Sequence, residues 1–153
     1  MKISYLDCDG KAKLFSFHTH DYREITIDDK FYMIDGGFDD YIRTSTNGKI
    51  KSDEISNLIS EIRDSFTWGQ NYDENNNRLP KTIYVKLKDL DTNHIINILK
   101  YFTEDLVFYI HKQKELEIND YTNVNESWCA THLIFLEELI YRSKNKIVNN
   151  NKS

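Results

Sequence analysis

Over the first fifty residues, apolar and polar positions alternate in short stretches, the period of an extended chain with one side buried. The segments KISYL, KLFSF, EITID, KFYMID and YIRTS are rich in β-branched and aromatic residues and predict strands. The pairs Asp9-Gly10, Asp28-Asp29, Gly36-Gly37 and Asn47-Gly48 separate them. Asp-Gly and Asn-Gly supply the positive φ that tight hairpins need, so an antiparallel meander is expected. The period then changes. After Ser52 or Asp53 as N-cap, Ile55, Leu58, Ile59, Ile62 and Phe66 recur at helical spacing.

The interior of Thr67–Pro80 has no period, which predicts a long connection, either a lid or a packed crossing. The following TIYVKLKDL alternates and predicts a strand burying Ile83, Val85 and Leu87. Asp91 or Thr92 caps a helix with Ile95, Ile96, Leu99 and Phe102, and Thr103 begins another with Leu106, Val107, Ile110 and Leu116. A last helix from about Ser127 to Ser143 carries the stripe Cys129, Leu133, Leu136 and Ile140, widened by Trp128, Phe135 and Leu139. A helix this apolar packs across a sheet. The expected fold is α+β: a mainly antiparallel five- or six-stranded sheet with about four helices packed on one side. Residues 1–145 form a single domain in this reading, and 146–153 a flexible polar tail.

The phrases MIDGGFDDYIR, FTWGQNYDENNNRLPKTIYVKLKDLDTNHIINIL and FLEELIYR, read together, resemble a group of small uncharacterised proteins encoded by bacteriophages and prophages. The resemblance covers roughly residues 30 to 142 and lies mainly in the Gly-Gly-aromatic-Asp-Tyr segment and the Trp-Gly loop. It implies a phage accessory protein acting in the host cytoplasm, of a kind that often blocks host enzymes or defence signals. It carries over no catalytic residue.

Composition narrows the classes. A net charge of −5 argues against a duplex-DNA binder, which needs a basic face. Two cysteines, Cys8 and Cys129, are too few for a disulfide scaffold and read as reduced thiols. No apolar run reaches membrane-spanning length and the N-terminus lacks a signal core, so a cytoplasmic protein without a membrane partner is expected. Lysine greatly outnumbers arginine, so the five arginines carry more information than they would elsewhere.

Three constellations could carry chemistry. In HTHD, His18 and His20 share a strand face and could both ligate a metal. No further ligand follows at metal spacing, so no bound metal and no cofactor are expected. A strand-to-loop corner capped by Asp21 is the ordinary structural account. In DGGFDDYIR, two glycines permit a corner or a close ligand approach, with Asp39, Tyr41 and Arg43 rimming a pocket. Arginine beside an aromatic ring suits phosphate plus base, though it also occurs as a packed surface pair. In the Thr67–Pro80 segment, Trp68 either plugs the core, with Gly69 as helix cap, or joins Tyr72 and Arg78 over a ligand. Cys129 and His132 can share a helical face, but that face is the expected core, where a thiol is inert.

The leading reading is a non-catalytic protein that binds and sequesters a small anionic, nucleotide-like ligand. Its candidate contacts are His18, His20, Arg23, Asp39, Tyr41, Arg43, Trp68, Tyr72 and Arg78. Two alternatives stand beside it: a metal-dependent phosphodiesterase or other hydrolase using His18 and His20, and an inhibitor that binds a host enzyme through exposed aromatics. Self-association into a homo-oligomer is left open.

Overall fold

The computed structural model describes residues 1–17, 21–36, 42–101 and 126–150, with side chains of the last segment for 130–146. His18, His20, Asp39, Tyr41, the helix expected from Thr103 and the Cys129 side chain lie outside these described residues. The chain is α+β. Its strands are β1 (Lys2–Asp7), β2 (Lys13–Leu14), β3 (Arg23–Ile27), β4 (Lys30–Asp35), β5 (Arg43–Thr44), β6 (Lys49–Glu54), β7 (Thr67–Tyr72) and β8 (Arg78–Lys86). Its helices are α1 (Ile55–Ser65), α2 (residues 92–101) and α3 (Glu126–Asn150), with a 3-10 turn at Leu87–Asp89.

The strands do not form the single sheet expected. They form three small antiparallel sheets, ordered β2-β1-β6, β3-β4-β5 and β7-β8, and three helices rather than about four lie among the described residues. Asp21 is one cause of the division. Of KLFSF only Lys13–Leu14 pairs with β1. Beyond it, Asp21 Oδ2 accepts the Phe17 N–H at 2.8 Å and the Asp21 carbonyl accepts the Ser16 hydroxyl at 2.6 Å. Local side-chain bonds of this kind compete with a ladder. They turn the chain out of the first sheet and drop Phe15 and Phe17 into the core, 3% and 1% exposed.

β1 is the centre of the molecule. Ile3 and Tyr5 on one face join Phe15, Phe17, the α1 stripe, Ile134 and Phe135 in the main core. Leu6 and the following Cys8, on the other face, pack against Tyr32 and Ile34 of β4. Helices, the β1 sheet and the β4 sheet therefore stack as three layers. A strand buried on both sides needs apolar residues of both parities, which explains the nearly continuous apolar character of ISYL.

The α1 stripe is as the spacing predicts: Ile55, Leu58, Ile59, Ile62 and Phe66 are all buried. The helix begins later than expected, because β6 pairs with β1 as far as Lys2↔Glu54 and makes Glu54 the N-cap. Asp91 does cap α2, its Oδ1 accepting the Asn93 N–H at 2.8 Å. α3 runs through Asn150, past the start expected for the polar tail.

Four further expectations are corrected. The segment Thr67–Pro80 is not an aperiodic connection but most of the β7–β8 hairpin. Its turn is organised by Asp73, whose Oδ1 accepts the N–H groups of Asn75 and Asn77 at 2.9 and 2.8 Å, with Asn76 at φ 60°. Gly69 is not a helix cap, since Phe66 caps α1. Leu87, in the 3-10 turn after β8, is buried, but Ile83 on β8 is 47% exposed, because the hairpin reaches the core only at its base, through Trp68 and Val85. On α3, Leu136 and Ile140 are exposed, at 37% and 45%, and Leu133 is partly buried. The helix is rotated so that Ala130, Ile134, Phe135 and Glu138 face inward. No helix among the described residues is long and apolar enough to cross a membrane.

Candidate functional site

The registers of the β3-β4-β5 sheet sort its side chains without ambiguity. Residues directly opposed in an antiparallel pair share a face. Arg23 opposes Ile34 and Ile25 opposes Tyr32, so these look toward β1. Glu24 opposes Met33, Thr26 opposes Phe31 and Asp35 opposes Arg43, so these occupy the outer face of the outer layer. Tyr22 joins them, its hydroxyl donating to Glu24 Oε2 at 2.6 Å. That bond to a carboxylate raises the Tyr22 phenol above its ordinary value and keeps the ring neutral.

This outer face is exposed at Phe31 and Tyr22 but buried at Asp35. Phe31 is 44% and Tyr22 51% exposed. Between them in character lies the Asp35–Arg43 ion pair, joined through Asp35 Oδ2. Its two halves differ sharply: the Arg43 side chain is 71% exposed while that of Asp35 is 10% exposed. Asp35 Oδ1 is buried and has no hydrogen-bond partner among the described residues. A buried carboxylate thus fixes one nitrogen of a guanidinium whose other donors face solvent. Met33 is the next position of β4 on the same face, Tyr22 feels the Asp35 charge, and Phe31 stands about 13 Å further along the strand.

Arg23 belongs elsewhere. It lies on the inner face, with Nε donating to Asp21 Oδ1 at 2.6 Å and a terminal nitrogen donating to the Ser65 carbonyl at 3.4 Å. A cation at the last carbonyls of α1 also complements the helix dipole. Arg23 is therefore a clasp between the Asp21 corner and the end of α1. Tyr72 and Arg78 oppose each other near the tip of the β7–β8 hairpin, both exposed. Trp68 packs edge-on against Phe135 with centroids 5.3 Å apart, at the hairpin base. The candidate arginines Arg23, Arg43 and Arg78 are thus not gathered: two lie on opposite faces of one sheet and the third on another sheet.

The remaining two arginines make the most extensive ionic network among the described residues. Glu138 of α3 is 0% exposed, and Arg63 of α1 holds both its oxygens at 2.9 Å. Arg142 adds a bond to Glu138 Oε1 at 2.7 Å, and also donates to Thr92 Oγ1 and the carbonyls of Leu87 and Lys88. The Arg63 guanidinium further lies 4.4 Å from the Tyr141 ring centroid. Periodicity passed over this network because it reads Glu138 as an outward residue. The signal that could have found it is arginine itself, retained in a lysine-rich chain where a planar fork must satisfy several acceptors.

Among the described residues no three His, Cys, Asp or Glu side chains converge as metal ligands. His94 accepts the Gln70 side-chain amide at Nδ1, 3.1 Å away. Burial pushes the Cys8 thiol up, with Asp7 and Asp9 acting in the same direction, so Cys8 is a poor nucleophile. The described geometry therefore defines an α+β protein with a partly exposed sheet face and an anchored arginine. No family model, curated protein or solved structure matches the chain.

Proposed function

We propose that this is a non-catalytic binding protein that sequesters a small anionic, nucleotide-type ligand on the outer face of β3-β4-β5. The setting we propose, from the resemblance, is that of a phage accessory protein working in the host cytoplasm. The observation that carries the reading is the Asp35–Arg43 pair: an exposed guanidinium oriented by a buried carboxylate, on a sheet face that also carries Tyr22. A guanidinium held in place loses little freedom when it forms paired, charge-assisted bonds to a phosphate. Tyr22 would supply a stacking surface for a base.

The test is calorimetry against a panel of cyclic dinucleotides and cyclic ADP-ribose isomers, with the recovered ligand checked by mass spectrometry. Arg43→Ala should weaken binding roughly ten- to a hundredfold, the loss of a charged hydrogen bond of about 1.5–3 kcal/mol. The exposed Lys144→Ala should leave it unchanged, because a distant solvated charge adds only a screened field. Ligand recovered in altered form would replace this reading with the hydrolase. No binding across the panel would replace it with the protein-directed inhibitor, for which the exposed Leu136 and Ile140 of α3 are the first surface to examine.

A further inference from the structure

We infer that the free edge of β6 is a self-pairing surface, on which a second copy of this chain lays its own β6 antiparallel to the first. The inference is independent of the ligand reading. In the order β2-β1-β6 no strand follows β6 among the described residues, so one side of its backbone is unpaired. The phase of the ladder tells which groups stand there. The Ile55 N–H donates to the Met1 carbonyl at 3.2 Å, continuing the register in which Glu54 opposes Lys2. Hydrogen-bonded and non-bonded pairs alternate along an antiparallel ladder. Asp53, Lys51 and Lys49 therefore bond to β1, while Ser52 and Ile50 turn their N–H and C=O groups outward. The far side of β1 agrees. There the Cys8 N–H donates to the Ala12 carbonyl at 2.9 Å, in phase with the Leu6↔Leu14 pair, which leaves Ile3, Tyr5 and Asp7 to bond with β6. The Glu54 N–H is taken by Asp53 Oδ1 at 2.7 Å, so the free edge ends there.

Length and charge point to a copy as the occupant. An unpaired edge is a template for another strand, and short edges are poor ones. β2 and β5 are two residues long, whereas β6 pairs with β1 over six residues without a break. Its sequence, KIKSDE from Lys49 to Glu54, carries cations at one end and acids at the other. A copy running the opposite way therefore meets it with opposite charge. Two-fold symmetry about Lys51 sets Ile50 against Ser52 of the copy, and Ser52 against its Ile50, so that the outward N–H and C=O groups of both residues close a ladder. The same register sets Lys49 against Asp53 of the copy. These are the unspent charges of the strand. Among the described residues Lys49 has no carboxylate partner, whereas Lys11, Lys13 and Lys51 each have one. Asp53 uses Oδ1 for the Glu54 N–H and the Asn57 amide and leaves Oδ2 over. Lys51, which faces its own symmetry mate, is already neutralised by Asp7 at 2.6 Å. Ile50 is 46% exposed and comes to lie diagonally across from its mate on one face, within side-chain reach. Such a contact is isologous and closes as a dimer.

The experiment is sedimentation velocity of the full chain from about 1 μM to 1 mM, the range that suits a small interface, with amide exchange read by NMR at both ends. A monomer–dimer equilibrium is expected. The Ile50 and Ser52 amides should be protected only at high concentration, and the Lys51 amide throughout. Ser52→Pro removes a donor that points to solvent in the single chain, so it should abolish the dimer while the melting temperature at low concentration stays near that of the wild type. Lys51→Pro, one position away, should lower that temperature, because its N–H points at β1. Lys49→Glu, at an exposed position without an ion partner, should weaken the dimer roughly 3- to 30-fold and keep the fold. A monomer across the whole range, a dimer that survives Ser52→Pro, or equal destabilisation by the two prolines would overturn the inference.

Discussion

Tyr32 shows how much one side chain can be asked to do at the seam between two sheets. Its ring is fully buried against Leu6 and Cys8, and its hydroxyl donates to Asp9 Oδ2 at 2.6 Å. Asp9 sits at φ 53° in the turn after β1, and Lys30 approaches the same carboxylate. The bond to Asp9, with burial adding to it, pushes the Tyr32 phenol up to about 12. The sign follows directly. A phenol that ionises later folded than unfolded holds its proton more tightly in the folded state. Its contribution is whole below the ordinary tyrosine value of about 10 and is lost as the pH rises toward 12. Spectroscopic titration of tyrosinate should therefore show a late step that Tyr32→Phe removes. If the wild type and the variant titrate alike near pH 10, the Asp9 bond is not formed in solution. Residue identity at turns was legible beforehand, since Asp9-Gly10 and Asp28-Asp29 both take up positive φ. The partner of Tyr32 was not, because nothing local in the sequence links Asp9 to a residue on another sheet.

At the level of the element, α3 gives the sharpest contrast between pattern and structure. Leu136 and Glu138 are two residues apart, and hydropathy ranks them in the wrong order. Leu136 is 37% exposed, while Glu138 is 0% exposed and held by two guanidinium groups. Removing one partner of such a network leaves buried cations uncompensated, which typically costs about 3–5 kcal/mol. Glu138→Ala should lose that much in urea denaturation. Leu136→Ala should lose less than about 1 kcal/mol, where a fully buried leucine would lose about 2–5. Equal losses would mean that α3 is rotated from the orientation described. α1 was legible because its stripe and its burial coincide. Of the β7–β8 hairpin only the alternating half of β8 from Thr82 was legible, because β7 lacks period: Gly69, Gln70 and Asn71 are poor strand formers. Cross-strand contacts between Tyr84 and Gly69 and between Thr82 and Asn71 hold them. The expected site suffered for the same reason. Single arginines can be ranked from sequence, but the face each one occupies depends on register.

For the whole molecule, the order of layers decides what is stable and what is available. The central strand β1 is covered on one face by α1 and α3 and on the other by β4, while its neighbour β6 is largely exposed. The outer sheet face and the hairpin are covered on one side only, and it is there that Phe31, Arg43, Tyr72 and Tyr84 stand exposed. The candidate binding residues thus belong to the parts that contribute least to the core, as surfaces that adapt to a ligand generally do. Stability should be graded in the same sense. Amides of β1 that pair with β6 from Ile3 to Leu6 should exchange only through global unfolding. Those at the hairpin turn, Asp73 to Asn77, are held mainly by the Asp73 carboxylate and two carbonyls within the turn, and should exchange by local opening. Native-state hydrogen exchange in increasing urea separates the two: the β1 amides should follow the global slope, and the turn amides should show almost none. Asp73→Ala should speed exchange at the turn and leave β1 unchanged, because the tip shares no core contact with that strand. A uniform slope across both regions would show one cooperative unit, and the hairpin would then be part of the scaffold rather than a surface carried by it.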